Sequence, residues 1–280
     1  MQHRLNGLLW VLIWCLTFTC GVSTSKFLGE STSNFGLFCM RYFSGMLFFT
    51  PFFISRIKDI KKVQSPLWQH LARAACIGSA SLLTYQTYRN LPLAVATSIG
   101  FTGPLLASSF GITLLKEPPT RAKIMALIFG YIGVLFIVQP SYEPLSIYVF
   151  TGLGACTLAG VANTLSRKLS QNDSAIMIML TSTITLGAIA LCGFLFLDEC
   201  INPDDLKLLL LIGLFGSFSQ FAYIKAVSYA EVSFVAPFEY TRLLIAVPLG
   251  YFMFSEMINY GQVCGMVLIV IGSIYLSRDK

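Results

Sequence analysis

The fold of this chain is decided by the stretch LKEPPT at residues 115–120, which has a counterpart in FSEMIN at residues 254–259. In both stretches the third residue is a glutamate at the end of an apolar segment, and a glycine follows it sixteen residues later. The two stretches are 139 residues apart, so they align one half of the chain with the other. We therefore expect two related units, residues 1–140 and 141–280. The alternative is that two apolar halves look alike by chance.

The composition is typical of a membrane protein. Hydrophobic residues make up 55% and charged residues 11% of the 280 residues, and the mean hydropathy is +0.73. Soluble domains carry about 25% charged residues, so this chain lacks the residues for a normal water-facing surface. The net charge of +6 does not indicate nucleic acid binding, because the basic residues stand at the ends of apolar segments. The eight cysteines lack paired metal-ligand spacing, and we expect apolar packing roles without disulfides or a bound metal.

Ten apolar segments approach the length of a membrane span, which takes about 20 helical residues. Their predicted bounds are 5–23, 35–54, 70–88, 94–115, 123–138, 146–165, 175–197, 206–227, 233–254 and 260–276. The first follows a short basic start and has no clear cleavage site after it, so it is interpreted as an uncleaved helix. The sequence thus predicts an all-α polytopic membrane protein of ten transmembrane helices.

The basic residues predict the orientation of these helices. Of the 19 Lys and Arg residues, 14 lie on the side of the N-terminus, three lie on the other side, and Arg41 and Arg242 lie within segments. The positive-inside rule places both termini in the cytoplasm. Because each unit has five helices, the second enters the membrane upside-down, which gives two inverted repeats as in secondary carriers. Short tails and connections favour the inner membrane of a bacterium.

Three charged residues, Arg41, Glu239 and Arg242, lie well inside apolar segments. A charge there costs about 2.5–3.5 kcal/mol even on lenient scales, so we expect these side chains to face a protein-lined cavity. Glu239 and Arg242 are three residues apart and share one face of a helix. They either bind a solute, with Arg242 on its carboxylate and Glu239 on its ammonium or sulfonium, or neutralise each other. Arg41 either adds a second positive group to the site, reaches lipid headgroups or pairs with Glu239.

The 139-residue offset carries Glu239 onto Gly100 and Arg242 onto Gly103. Glycine leaves room for a close approach, so we expect a slot with charges on one wall and free space on the other. Further candidates for solute binding are the polar or aromatic residues Trp14, Tyr85, Asn163, Gln220, Tyr223 and Tyr240. For each of these, packing or hydrogen bonding between helices is the alternative.

Two of these candidates, Trp14 and Tyr240, offer ring faces for a cation or a nucleobase. Two prolines, Pro104 and Pro237, fall within the fourth and ninth segments and are expected to kink them. Helix breaks near the substrate are common in carriers.

At these residues the chain resembles the EamA-like family of the drug/metabolite transporter superfamily. The resemblance rests on the ten segments, the two units, the pairs Glu117/Gly133 and Glu256/Gly272, and the arginine Arg41 in the second segment. Within the family it is similar to the bacterial S-adenosylmethionine uptake carriers, which also have a charged pair three residues apart after a proline in the ninth segment. Here the acid precedes the base. The resemblance implies helices around a central cavity that opens alternately to each side, with the fourth and ninth segments lining it.

The sequence therefore predicts a secondary transporter for a small polar, zwitterionic metabolite, either S-adenosylmethionine or an amino-acid-like compound, that works by alternating access without a cofactor. The alternatives within the superfamily are export of drugs or amino acids and exchange of nucleotide-sugars. An intramembrane enzyme or a channel is not favoured, since the segments hold no paired aspartates, deep histidine or repeated pore loop. The expected partners are the solute, the bilayer, and protons or a counter-substrate, and the chain is expected to be a monomer or homodimer.

Overall fold

The computed structural model describes residues 2–25, 32–56, 63–91, 96, 99–138, 146–196, 205–245, 248 and 260–277. Within these ranges the chain forms α-helices and no strand, so the predicted all-α class is confirmed, and residues 242–245 are helical in addition to the ten helices given next. The helices are α1 Gln2–Ser25, α2 Asn34–Arg56, α3 Leu67–Asn90, α4 Gly103–Leu114, α5 Arg121–Val138, α6 Ile147–Leu169, α7 Ala175–Phe196, α8 Leu206–Tyr229, α9 Val232–Val235 and α10 Tyr260–Ser277. A 3-10 helix, Ala236–Thr241, directly follows α9.

Small residues let the first helix of the chain pack closely against α8. A methyl group on Gly7 would come within 2.8 Å of the Ala230 Cβ atom, and one on Gly21 would come within 3.3 Å of the Phe215 Cβ atom. The start of α1 therefore meets the end of α8, and the two helices run antiparallel. The helices α3 and α6 pack antiparallel in the same way, with polar contacts near both ends.

A third close pair is formed by α5 and α10. A methyl group on Gly133 would lie 2.7 Å from the carbonyl oxygen of Gly265, so no side chain fits between the two backbones there. Gly265 belongs to the motif Gly261-x-x-x-Gly265, which spaces small residues one helical turn apart. The structure uses Gly265 for a contact within the chain.

The antiparallel pairs show at which end of the bundle each helix begins. Helices α1, α3, α5 and α7 begin at one end, where the loop with Glu117 and the start of α9 also lie, and we name it the Glu117 end. Helices α2, α6, α8 and α10 begin at the opposite end, whereas α4 begins inside the bundle, with Gly103 beside Cys156 of α6, and runs to the Glu117 end. The Glu117 end is the one that the basic residues predict to be cytoplasmic.

The predicted segments 94–115 and 233–254 are not continuous α-helices. In the first, a turn at residues 101–102 precedes α4, which has Pro104 in its first turn. In the second, α9 ends after four residues and the 3-10 helix follows, with Pro237 in its first turn. Proline has no backbone N–H to donate, so a helix begins at it readily but does not continue through it unchanged. The prolines mark breaks in the helices where the sequence predicts kinks.

Four of the described helices are long and apolar enough to cross a membrane, over His3–Gly21, Ile147–Leu169, Ala175–Leu195 and Leu206–Tyr229. Large apolar side chains cover the outside of the bundle, and Leu195 is 71% exposed. Such a surface is suited to lipid and not to water. The chain is an integral membrane protein. Glu256, which marks the second half of the repeat, lies outside the described residues.

Candidate substrate-binding site

Glu239 lies on the 3-10 helix, at the break in the second half of the chain. Its side chain is buried, and its Oε1 atom accepts a hydrogen bond of 2.9 Å from the hydroxyl of Tyr223 on α8. Tyr223 packs edge-on against Trp14 of α1, with the ring centroids 5.4 Å apart. The structure thus brings three of the predicted site residues into one cluster.

The guanidinium group of Arg242 lies among aromatic rings. Its Cζ atom is 4.1 Å from the centre of the Phe101 ring, and it is 5.2 Å and 5.8 Å from the ring centres of Phe18 and Trp14. An arginine that stacks on rings is held in place by cation–π attraction and keeps the N–H groups of its planar edge available for an anion.

Glu239 and Arg242 are not an ion pair in this structure. The ion pairs within 4.0 Å in the described part of the chain join other residues, at the Glu117 end of the bundle. The carboxylate is bonded to Tyr223, and the guanidinium faces the aromatic rings. The two charges are therefore separated, as a solute with separated charges requires. Contact with a solute stays a prediction.

The space beside Gly100 faces Arg242. A methyl group on Gly100 would lie 4.0 Å from the Arg242 Nη2 atom and 3.4 Å from the hydroxyl oxygen of Tyr88. A methyl group on Gly103 would instead lie 3.9 Å from the sulfur of Cys156 on α6. Only the first of the two predicted glycines therefore lies opposite the guanidinium.

A thiol approaches the backbone at each of the two breaks. The sulfur of Cys15 on α1 lies 3.7 Å from the carbonyl oxygen of Phe238, and the sulfur of Cys156 on α6 lies 3.4 Å from that of Ile99. Carbonyl groups that leave a regular helix need partners in a membrane, and a thiol is a weak donor. In each case the thiol comes from the first helix of one half and the carbonyl from the other half.

Arg41 borders a pocket in the half of the bundle that lies away from the Glu117 end. Its Nη1 atom donates to the hydroxyl of Tyr85, 3.4 Å away, and its Nε atom lies 2.9 Å from where a methyl group on Gly216 would be. The other residues that line the pocket are Thr17, Phe18, Gly21, Ile212 and Ser219. Phe18 also lies against Arg242, so this ring borders both the pocket and the second guanidinium.

Three other predicted site residues make no hydrogen bond to Glu239, Arg242 or Arg41 in the described part of the chain. Tyr240 is fully buried, its ring centroid is 5.9 Å from that of Phe101, and a methyl group on Gly130 would lie 2.1 Å from its Cδ2 atom. Gln220 is partly buried on α8, and its amide nitrogen has no hydrogen-bond partner among the described residues. Asn163 is partly buried on α6. Their roles in solute binding stay predictions.

Buried polar contacts join the two halves of the chain at the Glu117 end. The Oε1 and Oε2 atoms of Glu117 accept hydrogen bonds of 2.9 and 2.8 Å from the backbone N–H groups of Val232 and Ser233. The Nζ atom of Lys123, which is also buried, donates to the carboxylate of Glu231. The sequence shows Glu117 as a repeat marker and gives no sign of these partners.

Asp173, in the loop between α6 and α7, forms a further contact of this kind. Its carboxylate accepts hydrogen bonds from the backbone N–H groups of Gln64 and Ser65, at 2.8 and 3.2 Å, and lies 3.2 Å from Nε2 of His70. Burial would raise the pKa of the Asp173 carboxyl, but the hydrogen bonds favour the charged form and hold the pKa below its ordinary value.

Arg73 is buried in the bundle, although the sequence groups it with the basic residues at the cytoplasmic ends of segments. It is 3% exposed, and its guanidinium donates to the hydroxyl groups of Ser166 on α6 and Ser182 on α7. It lies one turn after His70 on α3, within the predicted segment 70–88. The position of Arg73 inside that segment indicated that its side chain could be buried, but counting basic residues on each side of the membrane does not use this information.

Sequence reasoning also missed the two phenylalanines beside Arg242. Phe18 follows Trp14 by one helical turn, so both rings lie on one face of α1. Phe101 aligns with Tyr240 under the 139-residue offset and follows Gly100 directly. Both signals were present in the sequence, but apolar rings in a membrane segment are too common to stand out.

Three relatives show what the chain is similar to. The S-adenosylmethionine uptake transporter of Rickettsia prowazekii is 25% identical over 283 residues, which cover 99% of this chain and 94% of the relative. The pseudopaline exporter of Pseudomonas aeruginosa is 29% identical over 211 residues, 73% of either chain. The riboflavin transporter of Brucella anthropi is 24% identical over 217 residues, which cover 75% of this chain and 76% of the relative.

The fold and the family are also shared with known proteins. A crystal structure of another protein superposes with a TM-score of 0.81 at 15% identity and covers 99% of this chain and 97% of its own, which shows a common fold. The profile of the EamA-like transporter family matches residues 5–139 and again residues 146–278. The resemblance predicted from the sequence is confirmed. Two matches that cover nearly all of the chain show that this protein belongs to the EamA-like transporter family.

Proposed function

We propose that this protein is a secondary transporter that moves a small zwitterionic metabolite, S-adenosylmethionine or an amino-acid-like compound, across the membrane by alternating access. Two inverted five-helix repeats, residues 1–140 and 141–280, form ten spans around the site. Membership of a transporter family favours transport over catalysis.

The pairing of helices supports the inverted repeat. If the halves are related by a two-fold axis, α1 corresponds to α6 and α3 to α8, and the two close pairs α1–α8 and α3–α6 are equivalent. Corresponding helices run in opposite directions across the bundle, as an inverted repeat requires. Phe101 and Tyr240 align under the offset and lie 5.9 Å apart, as expected for residues near the axis.

The observation that carries the proposal is the separation of Glu239 from Arg242. A buried acid and a buried base that bond to each other would leave little attraction for a ligand, whereas here each is bound to other side chains. A solute carboxylate would bind Arg242 with two parallel hydrogen bonds, and a solute ammonium or sulfonium would lie next to Glu239. Arg41 makes the three groups net positive and favours the anionic end of a solute in the pocket.

The relatives support this class of solute. S-adenosylmethionine carries an amino-acid group and a sulfonium, which match the two charges of the site, and a relative that aligns along nearly the whole chain is its uptake transporter. We place the protein in the inner membrane of a bacterium, with both termini in the cytoplasm, because 14 basic residues lie on that side. Energy would come from protons or from a counter-substrate.

The test is uptake of radiolabelled S-adenosylmethionine and amino acids into cells that produce the protein, compared with cells that carry an empty vector. Glu239→Gln and Arg242→Gln should each lower uptake at least about tenfold, since each removes a charged partner of the solute. Lys168→Gln removes an exposed charge outside the site and serves as the control. Uptake of none of these solutes by the native protein, or native rates in both site variants with normal membrane amounts, would contradict the proposal.

Export of the same class of solute is the second candidate. One of the relatives is an exporter of pseudopaline, so the family includes both directions. Alternating access is reversible, and the direction of net transport depends on the gradients of the solute and of any coupled ion or counter-substrate. Uptake and efflux by the same proteoliposomes, with the pH gradient set inward and then outward, distinguish the two candidates.

A further inference from the structure

The pocket beside Arg41 and the polar contacts of the Glu117 end lie in opposite halves of the bundle. The pocket residues come from the second halves of α1 and α3, from the first half of α2, and from the first half and middle of α8, which places the pocket away from the Glu117 end. The Glu117 end is closed by contacts between the two halves of the chain. The structure is therefore one state of the transporter, closed at the Glu117 end.

Glu117 forms the contact that leads directly to the site. Its carboxylate accepts hydrogen bonds from the backbone N–H groups of Val232 and Ser233. These two residues lie at the start of residues 232–242, which include Glu239 and Arg242 and which we name the site segment. A carboxylate with two backbone N–H donors is a charge-assisted contact, about twice as strong as a neutral one. Because Glu117 belongs to the first half and the site segment to the second, the contact couples the halves to each other and to the site.

The local structure of the α4 terminus is suited to this contact. Lys116 adopts φ 56°, in the left-handed region, and turns the chain so that the Glu117 N–H donates to the carbonyl oxygen of Gly111 at 3.2 Å. A methyl group on Gly111 would lie 2.6 Å from the Glu117 Oε2 atom and 3.3 Å from the Ser233 nitrogen. Glycine at this position is what allows α4, the carboxylate and the site segment to meet.

Two hydroxyl groups suggest that the contact is made to be broken. Ser108, one turn before Gly111 on the same face of α4, and Ser233 are fully buried, and neither Oγ atom has a hydrogen-bond partner among the described residues. A buried hydroxyl without a partner is unfavourable, and a permanent interface rarely keeps two of them. Both would be hydrated if α4 and the start of the site segment moved apart.

We infer that the Glu117 carboxylate is a latch that holds the Glu117 end closed, and that its release opens a water-filled passage between α4 and residues 232–235 lined by Ser108 and Ser233. The inference rests on the proposed function, because it assigns the passage to the solute. The passage is the route between the site and the cytoplasmic side under the predicted orientation. Glu117 acts as a positioning residue and does not itself bind the solute.

The test is the rate at which a cysteine at position 108 reacts with a membrane-permeant maleimide, measured by mass spectrometry of the labelled peptide in membranes. Ser108→Cys should react at least about tenfold faster in combination with Glu117→Gln, which removes the charge and one of the two acceptor oxygens. Gly111→Ala should act in the same direction, because its methyl group displaces the carboxylate without removing it.

The native Cys39, buried on α2 away from the passage, is the internal control. General loosening of the fold would increase labelling at positions 108 and 39 together, whereas release of the latch increases it at position 108 alone. If Glu117→Gln does not accumulate in membranes, the labelling rate in Gly111→Ala tests the inference instead. The inference is overturned if either folded variant is labelled at the native rate at position 108, or equally at both positions. Labelling needs no solute, so it stands or fails separately from the uptake experiment.

Discussion

Glu239 and Arg242 stand three residues apart on a buried segment, yet the carboxylate bonds to Tyr223 on one side and the guanidinium stacks 4.1 Å from the centre of Phe101 on the other. The segment between them is a 3-10 helix, which has three residues per turn and differs from the α-helix assumed from the sequence. Partners on α1, on α8 and at the other break hold the two charges apart. Under the proposed function, a solute with separated charges would bind between them.

Tyr223→Phe should raise the KM for uptake about tenfold, because it removes a hydrogen bond to a buried charged group without changing the packing of the ring. Initial rates over a range of solute concentrations measure the change. Tyr148→Phe, at the start of α6 and away from the site, is the control. A native KM in Tyr223→Phe would show that this hydrogen bond does not support binding.

Gly100→Ala should transport at close to the native rate, because the added methyl group would stay 4.0 Å from Arg242 and 3.4 Å from Tyr88. Gly100→Leu should lower uptake at least about tenfold, since its longer side chain extends into the space beside the guanidinium. The amount of each variant in the membrane is measured alongside uptake. Equal activity in the Leu variant would mean that no solute uses this space.

Gly130→Ala should destabilise the folded protein by about 1–3 kcal/mol, because its methyl group would lie 2.1 Å from the ring of Tyr240 and the ring has no space to withdraw. Thermal unfolding in detergent measures the loss. Gly154→Ala is the matched control, since a methyl group there makes an ordinary contact of 3.5 Å with Leu83. The prediction fails if Gly130→Ala and Gly154→Ala unfold at the same temperature.

Arg41→Gln should weaken binding of the solute and lower uptake at low solute concentration, because the pocket loses its positive charge. Arg41→Lys should retain part of the affinity, since the ammonium keeps the charge but not the planar fork. Lys168→Gln, which removes an exposed charge, controls for the change in net charge. If Arg41→Gln binds like the native protein, the pocket is not part of the solute path.

Asp173→Asn should lower the unfolding temperature at neutral pH, because the charged acceptor of two backbone N–H groups is lost. The lowered pKa of the native carboxyl means that its stabilisation is complete above the ordinary value of about 3.9 and is lost as the pH falls through the lower folded value. The native advantage should therefore be constant from neutral pH down to the ordinary value and shrink below it.

The same comparison is made in a His70→Gln background, since the imidazole ring of His70 contacts the Asp173 carboxylate and is itself a titratable group. An advantage of the native carboxylate that grows as the pH falls would contradict the assigned direction of the pKa shift. Unfolding curves at several pH values, recorded for all four proteins in the same detergent, supply the measurement.

Much of the fold follows from periodic and compositional signals. The long apolar runs predict helices α1, α6, α7 and α8 to within a few residues, because a helix in a membrane must satisfy its own backbone groups. The fourth and ninth segments are different, since an apolar run with one proline is compatible with a kinked helix or a broken one. Packing against other helices decides between them, and here it favours a turn at residues 101–102 and a 3-10 helix before Arg242.

By itself, the sequence determined that the chain is helical and membrane-bound and that its halves are related. It also determined that Arg41, Glu239 and Arg242 are the charged residues that lie well inside apolar segments. These conclusions follow from the cost of charge in hydrocarbon and from spacing along the chain, which are local quantities. Only the tertiary structure decided that Tyr223 binds Glu239, that Phe101 lies on Arg242 and that Glu117 bonds to the start of the site segment. Those partners are 16 to 141 residues apart in sequence, and only the packing of the helices brings them into contact.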